Sequence, residues 1–355
     1  MMAPFGISDY DPATLGLRLV EWGYKPSHAA RVLRMHYEGV DYWDSSGHRL
    51  PESLRTLLQT ELASSSVTVR HRQVAVDGTC KLLLGLRDGQ TVETVLMPDY
   101  RPGRAAGCLS SQVGCAMGCD FCATTKTGFM RNLSAGEIVE QFRALRREAA
   151  VAGRKLQTVV FMGMGEPLLN LDSVMTAAER LADNRLGGLG WRQITLSTVG
   201  IVPGINALTD SGLNLQLAVS LHAPDDVTRA SLIPVATRYS ILEILGAVDR
   251  FQAVRKRPVT VQYCLLAGVN DSLEQASQLA ELIGKRRLHV NLLRYNATGL
   301  GLRGINYESA SDEASIGFLE VLRARGLVAH MRRSRGPDID AACGQLRRRN
   351  PPLEG

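Results

Sequence analysis

The 355 residues carry 41 Lys and Arg against 35 Asp and Glu, a formal net charge of +6, with 45% hydrophobic and 21% charged side chains. That is the composition of an ordinary soluble globular protein of one to three domains, and its mild basicity permits contact with phosphate without demanding it. No stretch approaches the roughly 18–20 uninterrupted apolar residues of a membrane helix. The opening MMAPFGISDYDP lacks the basic region and apolar run of a secretory signal, so a cytoplasmic, non-membrane protein is expected.

Three zones follow along the chain. Residues 1–68 read as a helical domain, with apolar positions in LGLRLVEWG, AARVLRMHYEG and LPESLRTLLQTELA. Residues 69–107 shift to short alternating runs, VTVRHRQVAV, CKLLLGL and TVETVLMP, punctuated by Asp77-Gly78 and Asp88-Gly89, strong hairpin signals. This predicts a small β extension. From 108 to 355, apolar runs such as LQTVVFMG, RQITLSTVG, LNLQLAVSLH, RPVTVQYCLL and LHVNLLRYN alternate with amphipathic stretches, and a later run reads GLVAHMRR. One helix is announced by Ser134 and Glu137 in capping-box spacing. The alternation predicts an α/β fold, a partial (β/α)6 barrel whose chemistry belongs at the C-terminal ends of its strands. Basic residues gather late, in Arg323, Arg325, Arg332, Arg333 and Arg335, then Arg347, Arg348 and Arg349, and a solvated tail is one reading of the last three.

Seven cysteines are present, and four of them crowd into residues 108–122. In a cytosolic chain such crowding points to metal or redox chemistry before structural disulfides. Cys115, Cys119 and Cys122 follow a C-x3-C-x2-C spacing, with Phe121 before the last. Three soft thiolates without a nearby fourth ligand suit an iron–sulfur cluster with one open iron, which can chelate the amino and carboxylate groups of S-adenosylmethionine. Structural zinc, the alternative, wants four protein ligands.

At the next strand end, VVFMGMGEPLLN offers Gly163 and Gly165 for close backbone approach to a ligand, and Glu166 as a carboxylate for its ammonium group. Ser197, the run Ser220-Leu221-His222, and Asn296 end later strands, in the register where barrels build sites. Cys80 and Cys264 read as inert buried thiols. Cys343 lies among small residues in RGPDIDAACGQL, a poor core segment able to reach an active site. Glu93, in TVETVLMP, reads from spacing alone as a solvent-facing strand residue.

From about Glu93 to Leu346 the chain resembles the RlmN/Cfr family of radical S-adenosylmethionine RNA methyltransferases. The resemblance is carried by SSQVGCAMGCDFCATTKTGFMRNL, VVFMGMGEPLLN, ITLSTVGIVPGI, AVSLHAPDD, LAGVND and RGPDIDAACGQL, in that order. It implies a 4Fe-4S cluster on Cys115, Cys119 and Cys122. It implies S-adenosylmethionine, two molecules per turnover, held by Gly165-Glu166, Ser197, Ser220 to His222 and Asn296. Cys343 would carry the methyl group, Cys108 would resolve the adduct as a disulfide, and Glu93 would be the proton acceptor. The implied route methylates Cys343, generates a 5′-deoxyadenosyl radical that abstracts hydrogen from the S-methyl group, and adds the resulting carbon radical to adenine. The implied partners are 23S rRNA, also tRNA, and an electron donor such as a flavodoxin, with a monomeric enzyme. The first 68 residues would be the RNA-binding module.

The chain departs from the family pattern in KPSHAARVLRMHYEG, in Ala297 after Asn296 where proline is common, in Gln262 for a frequent acidic residue, and in Pro337 for Asp. None touches a cysteine, but all could shift the choice of RNA. Methylation at adenine carbon 2 is the first reading and carbon 8 its rival. A non-catalytic RNA-binding paralogue would be expected to lack one of the five cysteines that are present. A radical enzyme acting on a peptide or small molecule would not need the Cys108 and Cys343 pair.

Overall fold

The computed structural model describes residues 6–39, 50–62 and 65–347. Arg348 and Arg349 lie outside the described residues. The N-terminal helices are α1 (Pro12–Glu21), capped by the Asp11 carboxylate on the Ala13 and Thr14 N–H groups, α2 (His28–Glu38) and α3 (Glu52–Glu61). The β extension follows as β1 (Val67–Val74), β2 (Cys80–Leu86) and β3 (Thr91–Pro98), with the two Asp-Gly pairs at its two hairpin turns.

β4 (Arg104–Cys108) opens the barrel and pairs antiparallel with β3. A separate ribbon, β5 (Gln112–Gly114) with β6 (Phe129–Asn132), brackets the cysteine loop. Then come α4 (Ala135–Val151), β7 (Lys155–Phe161), α5 (Leu171–Ala182), β8 (Ile194–Thr198), α6 (Val202–Asp210) and β9 (Gln216–Ser220). The remainder is α7 (Asp226–Leu232), α8 (Ile241–Arg255), β10 (Val259–Leu265), α9 (Leu273–Ile283), β11 (Leu288–Arg294), α10 (Asp312–Ala324) and β12 (Val328–Arg332).

These strands form one sheet in the order β1-β2-β3-β4-β7-β8-β9-β10-β11-β12. The first four are antiparallel, and every pairing from β4 onward is parallel. The six expected barrel strands are β4 and β7 to β11, and β12 extends the parallel run at the far edge. Apolar residues facing both ways are what such a sheet requires when helices cover it. Val159, Phe161, Leu196, Leu217, Val261, Val290 and Leu292 are buried accordingly. The predicted capping box forms at Ser134 and Glu137 and starts α4.

The N-terminal segment is tied to α4 through one buried carboxylate. Glu140 accepts from Ser8 Oγ and from Ser65 Oγ at 2.5 Å, lies 3.1 Å from His36 Nε2, and receives Arg143 Nη1 at 2.8 and 2.9 Å. Burial opposes its charge, but the His36 hydrogen bond and the Arg143 guanidinium outweigh it and hold Glu140 at a pKa of about 2. Burial likewise pushes His36 down to about 4.

Candidate active site

The C-terminal strand ends surround a cavity with about 1120 Å³ of open space, lined by Cys115, Cys119, Cys122, Gly165, Glu166, Ser197, Ser220, His222, Asn296 and Cys343. Three sequence-predicted residues lie elsewhere. Leu221 is fully buried behind the wall, its N–H donating to the Gln262 carbonyl at 3.0 Å. Cys108 lines a second cavity of about 570 Å³, which Cys343, Asn296, Arg332, Arg333 and Arg335 also line. Glu93 lines neither and is 1% exposed, so the solvent-facing reading of that strand residue is overturned.

The cysteine loop is held by its neighbours. Asp120, fully buried, accepts from the Arg303 N–H at 2.9 Å and the Tyr307 hydroxyl at 2.7 Å. Thr125 Oγ1 donates to the Cys119 and Cys122 carbonyls. Burial pushes the Cys115 thiol up to about 12, and pushes Cys119 and Cys122 up as well. Two buried thiols and a half-buried third, crowded together, stay protonated unless a metal centre takes their protons' place, so the donor set fits a metal group. Among the described residues no three His, Cys, Asp or Glu side chains converge tightly enough to hold a single ion. A multi-iron cluster, where each thiolate takes its own iron, places its ligands farther apart.

Orphaned polar atoms carry the fit further. Arg229, 1% exposed and close enough to Cys119 for their charges to interact, donates through Nη2 to the Val199 carbonyl but leaves Nε and Nη1 without a partner among the described residues. Gln262 Oε1, in the cavity wall, likewise has no partner among the described residues. Buried donors and acceptors left bare in this way are costly, and a ligand of complementary polarity would satisfy them. Glu166 accepts from the Leu168 and Val199 N–H groups at 3.0 and 2.9 Å, yet burial raises its pKa to about 7. A cation such as a ligand ammonium would restore its charge. His222 accepts at Nδ1 from the Cys264 N–H at 2.9 Å, packs edge-on to Phe121, and is pushed down to about 3 by burial. It is therefore a neutral ring with its proton on Nε2.

The glycines of the Gly-Glu motif serve a different neighbour from the one expected. A Cβ on Gly163 would meet Ser110 Oγ at 2.6 Å and the Leu109 carbonyl oxygen at 2.8 Å, and one on Gly165 would meet Gln112 Cβ at 2.5 Å. Gly165 also has a φ of 100°. The close approach is to the chain leaving β4, while the same backbone lines the cavity.

Residues 336–347 cross the site as a strap. Gly336 N–H reaches Asp77 Oδ2 at 3.3 Å, and the Val76 N–H reaches Asp338 Oδ2 at 3.1 Å. Lys81 Nζ donates to the Asp340 carbonyl at 3.0 Å, and the Arg347 N–H donates to Glu93 Oε2 at 2.9 Å. On the cluster side, the Ala123 N–H donates to the Gly344 carbonyl at 2.7 Å and Thr124 Oγ1 to the Leu346 carbonyl at 2.5 Å. Cys343 sits exposed in the middle and faces both cavities. Cys108 is raised to about 12, by burial first and then by the neighbouring Cys343. All seven cysteines are free thiols, so the disulfide implied by the resemblance is absent from this structure.

Sequence reasoning missed Lys81 and Arg229, and it noted Gln262 only as a departure. A charged residue inside the otherwise apolar CKLLLGL was the available signal for the first.

A parallel half-barrel with three cysteines on its first loop and a Gly-Glu edge on the next strand defines a radical S-adenosylmethionine protein, a class that takes S-adenosylmethionine and an iron–sulfur cluster. The Radical SAM superfamily model matches residues 109–280. The chain is 67% identical over 329 residues to the probable dual-specificity RNA methyltransferase RlmN 1 of Opitutus terrae, covering 93% of each. It is 45% identical over 336 residues to the corresponding protein of Thermosynechococcus vestitus, covering 95% of this chain and 92% of that one. A radical SAM methyltransferase from Sphaerobacter thermophilus superposes with a TM-score of 0.90 at 42% identity, over 97% of this chain and 99% of that one. The chain belongs to the RlmN family of radical SAM RNA methyltransferases. Among the described residues no helix is long and apolar enough to cross a membrane.

Proposed function

We propose that this enzyme methylates carbon 2 of an adenosine in 23S rRNA, and of an adenosine in tRNA, through a methyl-carrying Cys343. The observation that carries the reading is the position of Cys343, which faces the cavity of the three cluster cysteines on one side and Cys108 on the other. The relatives' name, dual-specificity RNA methyltransferase, supports two RNA substrates. Arg332, Arg333 and Arg335 at the second cavity provide phosphate contacts beside the reacting sulfur. Residues 1–68 serve as a further RNA-binding module.

Cys115, Cys119 and Cys122 hold one 4Fe-4S cluster, and Gly165, Glu166, Ser197, Ser220, His222 and Asn296 line the cofactor's berth. Leu221 supports that berth from behind. When bound, the cluster and two molecules of S-adenosylmethionine per turnover supply one methyl group and one carbon-centred radical. Cys343 Sγ accepts the methyl group and, after hydrogen abstraction from it, carries the carbon that bonds to the adenine ring. That addition leaves one unpaired electron in the ring, for which the iron–sulfur cluster would be the one-electron acceptor, and Glu93 takes the ring proton from the resulting protein–RNA adduct. Cys108, its proton given up, then attacks Cys343 sulfur. The S–S bond forms as the S–C bond breaks, and the bonding pair leaves with carbon, which takes a proton and becomes the methyl group. A flavodoxin-type donor, a monomeric state and a cytoplasmic setting complete the proposal.

Nucleoside mass spectrometry tests it. Anaerobically reconstituted enzyme with reductant and S-adenosylmethionine is expected to form 2-methyladenosine in unmethylated 23S rRNA and in tRNA. An 8-methyladenosine product would overturn the assigned carbon. Release of 5′-deoxyadenosine without either product would overturn the substrate.

A further inference from the structure

The register of the antiparallel extension places a fourth residue in the working group. Lys81 on β2 stands opposite Val95 on β3, and Val95 stands opposite Cys108 on β4. Residues opposed in a ladder share a face, so Lys81 and Cys108 point the same way, one strand apart on either side of Val95. Glu93 and Met97, two residues to either side of Val95, point that way too. Met97, Cys108 and Val160, the partner of Cys108 on β7, all line the second cavity, which fixes this as the cavity face. The opposite face, carrying Cys80, Leu82 and Leu84, belongs to the main apolar core, and Cys80 Sγ meets Glu148 of α4.

On the cavity face Lys81 and Glu93 make a diagonal pair, Nζ to Oε1 3.2 Å, each side chain 2% exposed. Both members also hold the strap. Lys81 holds the Asp340 carbonyl, before Cys343, and Glu93 Oε2 holds the Arg347 N–H, after it. A single ion pair thus clasps both feet of the loop that carries the methyl-bearing sulfur. The two oxygens of Glu93 have separate duties, Oε1 toward the cation and Oε2 toward the strap.

We infer that Lys81 is a positioning residue of the methyl transfer, holding Glu93 as the proton acceptor and setting where the Cys343 loop docks. The inference rests on the roles given above to Glu93 and Cys343. Release of the Arg347 foot uncovers Oε2 while Oε1 stays on the ammonium. Once the adduct's unpaired electron has left, for which the cluster of the proposed function would be the acceptor, the ring C–H bond breaks, its electron pair stays in the ring, and the proton passes to Oε2. Lys81 keeps its own proton throughout. A buried carboxylate stripped of its cation prefers the neutral acid form, which cannot accept a proton.

The experiment uses the reconstituted full-length holoenzyme with RNA and compares Lys81→Met, Lys81→Arg and Glu93→Gln. Cys343 methylation is read by peptide mass spectrometry, the protein–RNA adduct by denaturing gel, and methylated nucleoside by mass spectrometry. Lys81→Met is expected to methylate Cys343 and release 5′-deoxyadenosine, accumulate adduct, and lose turnover by about 100-fold. Lys81→Arg is expected to recover most of that loss. Wild-type turnover without adduct in Lys81→Met would overturn the inference while leaving the Glu93 role intact, provided Glu93→Gln traps adduct. Failure of Glu93→Gln to trap adduct would overturn the Glu93 role itself. Should Lys81→Met fail to fold, Lys81→Gln, which keeps donors for Glu93 and the Asp340 carbonyl but no charge, decides by the same readouts, and normal turnover in it overturns the inference.

Discussion

Two buried carboxylates, Glu140 and Glu93, show how one chemical group is made structural in one place and left usable in another. Glu140 is surrounded by Ser8, Ser65, His36 and Arg143, which belong to the N-terminal segment and α4. His36 and Arg143 stand on α2 and α4, and the donors together hold its pKa at about 2 despite burial. Glu93 receives Lys81 from a neighbouring strand and a backbone N–H from a strap. Only the strand partner is built into the sheet. Burial alone therefore does not separate a joint from a working group. The origin of the donors does.

The contrast can be broken most severely at Glu93. The double variant Lys81→Met/Glu93→Gln leaves no bare charge behind. Its melting temperature is expected to move little, while methylated-nucleoside turnover falls by about 10²–10⁴-fold. Differential scanning calorimetry alongside the turnover assay reads both, and a large thermal shift would erase the distinction. Glu140→Gln should do the reverse. Stranding the buried Arg143 guanidinium is expected to cost about 3–5 kcal/mol in urea unfolding, with methylation per folded molecule unchanged.

Acid sharpens the same comparison. Glu140 is held at about 2 against an ordinary 4.5, so its stabilisation is complete above pH 4.5 and is lost as pH falls toward 2. His36 is kept neutral down to about 4 against an ordinary 6.5, so the unfolded chain binds the extra proton, and stability drops as pH falls from 6.5. The urea midpoint of the wild type should decline below pH 6.5, and a His36→Gln variant should show a flatter decline. An equal slope in both would remove His36 from the account. The smallest effect is expected at the strap. Asp338→Ala removes the hold on the Val76 N–H, a loss of about 1 kcal/mol, and alkylation of Cys343 by iodoacetamide should quicken by about five-fold.

Much of this was legible in the sequence because it is local. The Ser134–Glu137 cap and the two Asp-Gly turns are short-range patterns that take their expected places, and the three cysteines of the C-x3-C-x2-C run line one cavity. Alternation in TVETVLMP also tells which residues share a face with Glu93. It cannot tell that both faces are covered, one by α4 and the other by a strap that arrives some 250 residues later. Lys81 was overlooked for the same reason, since its partners at Glu93 and Asp340 are set by strand register and by the C-terminal fold. Gly163 and Gly165 read as glycines that matter, but the neighbour they admit is the chain of residues 109–112, backbone and side chains alike. Arg229 sits in α7 three residues beyond the AVSLHAPDD run, and its bare nitrogens single it out.

The contact between those glycines and the chain leaving β4 acts as a gauge. Gly163 N–H donates to the Leu109 carbonyl at 3.1 Å, the Ser111 N–H to the Met164 carbonyl at 2.8 Å, and the Glu166 N–H to Gln112 Oε1 at 2.9 Å. The spacing between the root of the thiol loop and the carboxylate of Glu166 is therefore set by backbone lying on backbone, with the Ser110 and Gln112 side chains wedged at the contact. A single added methyl at residue 163 spoils that calibration.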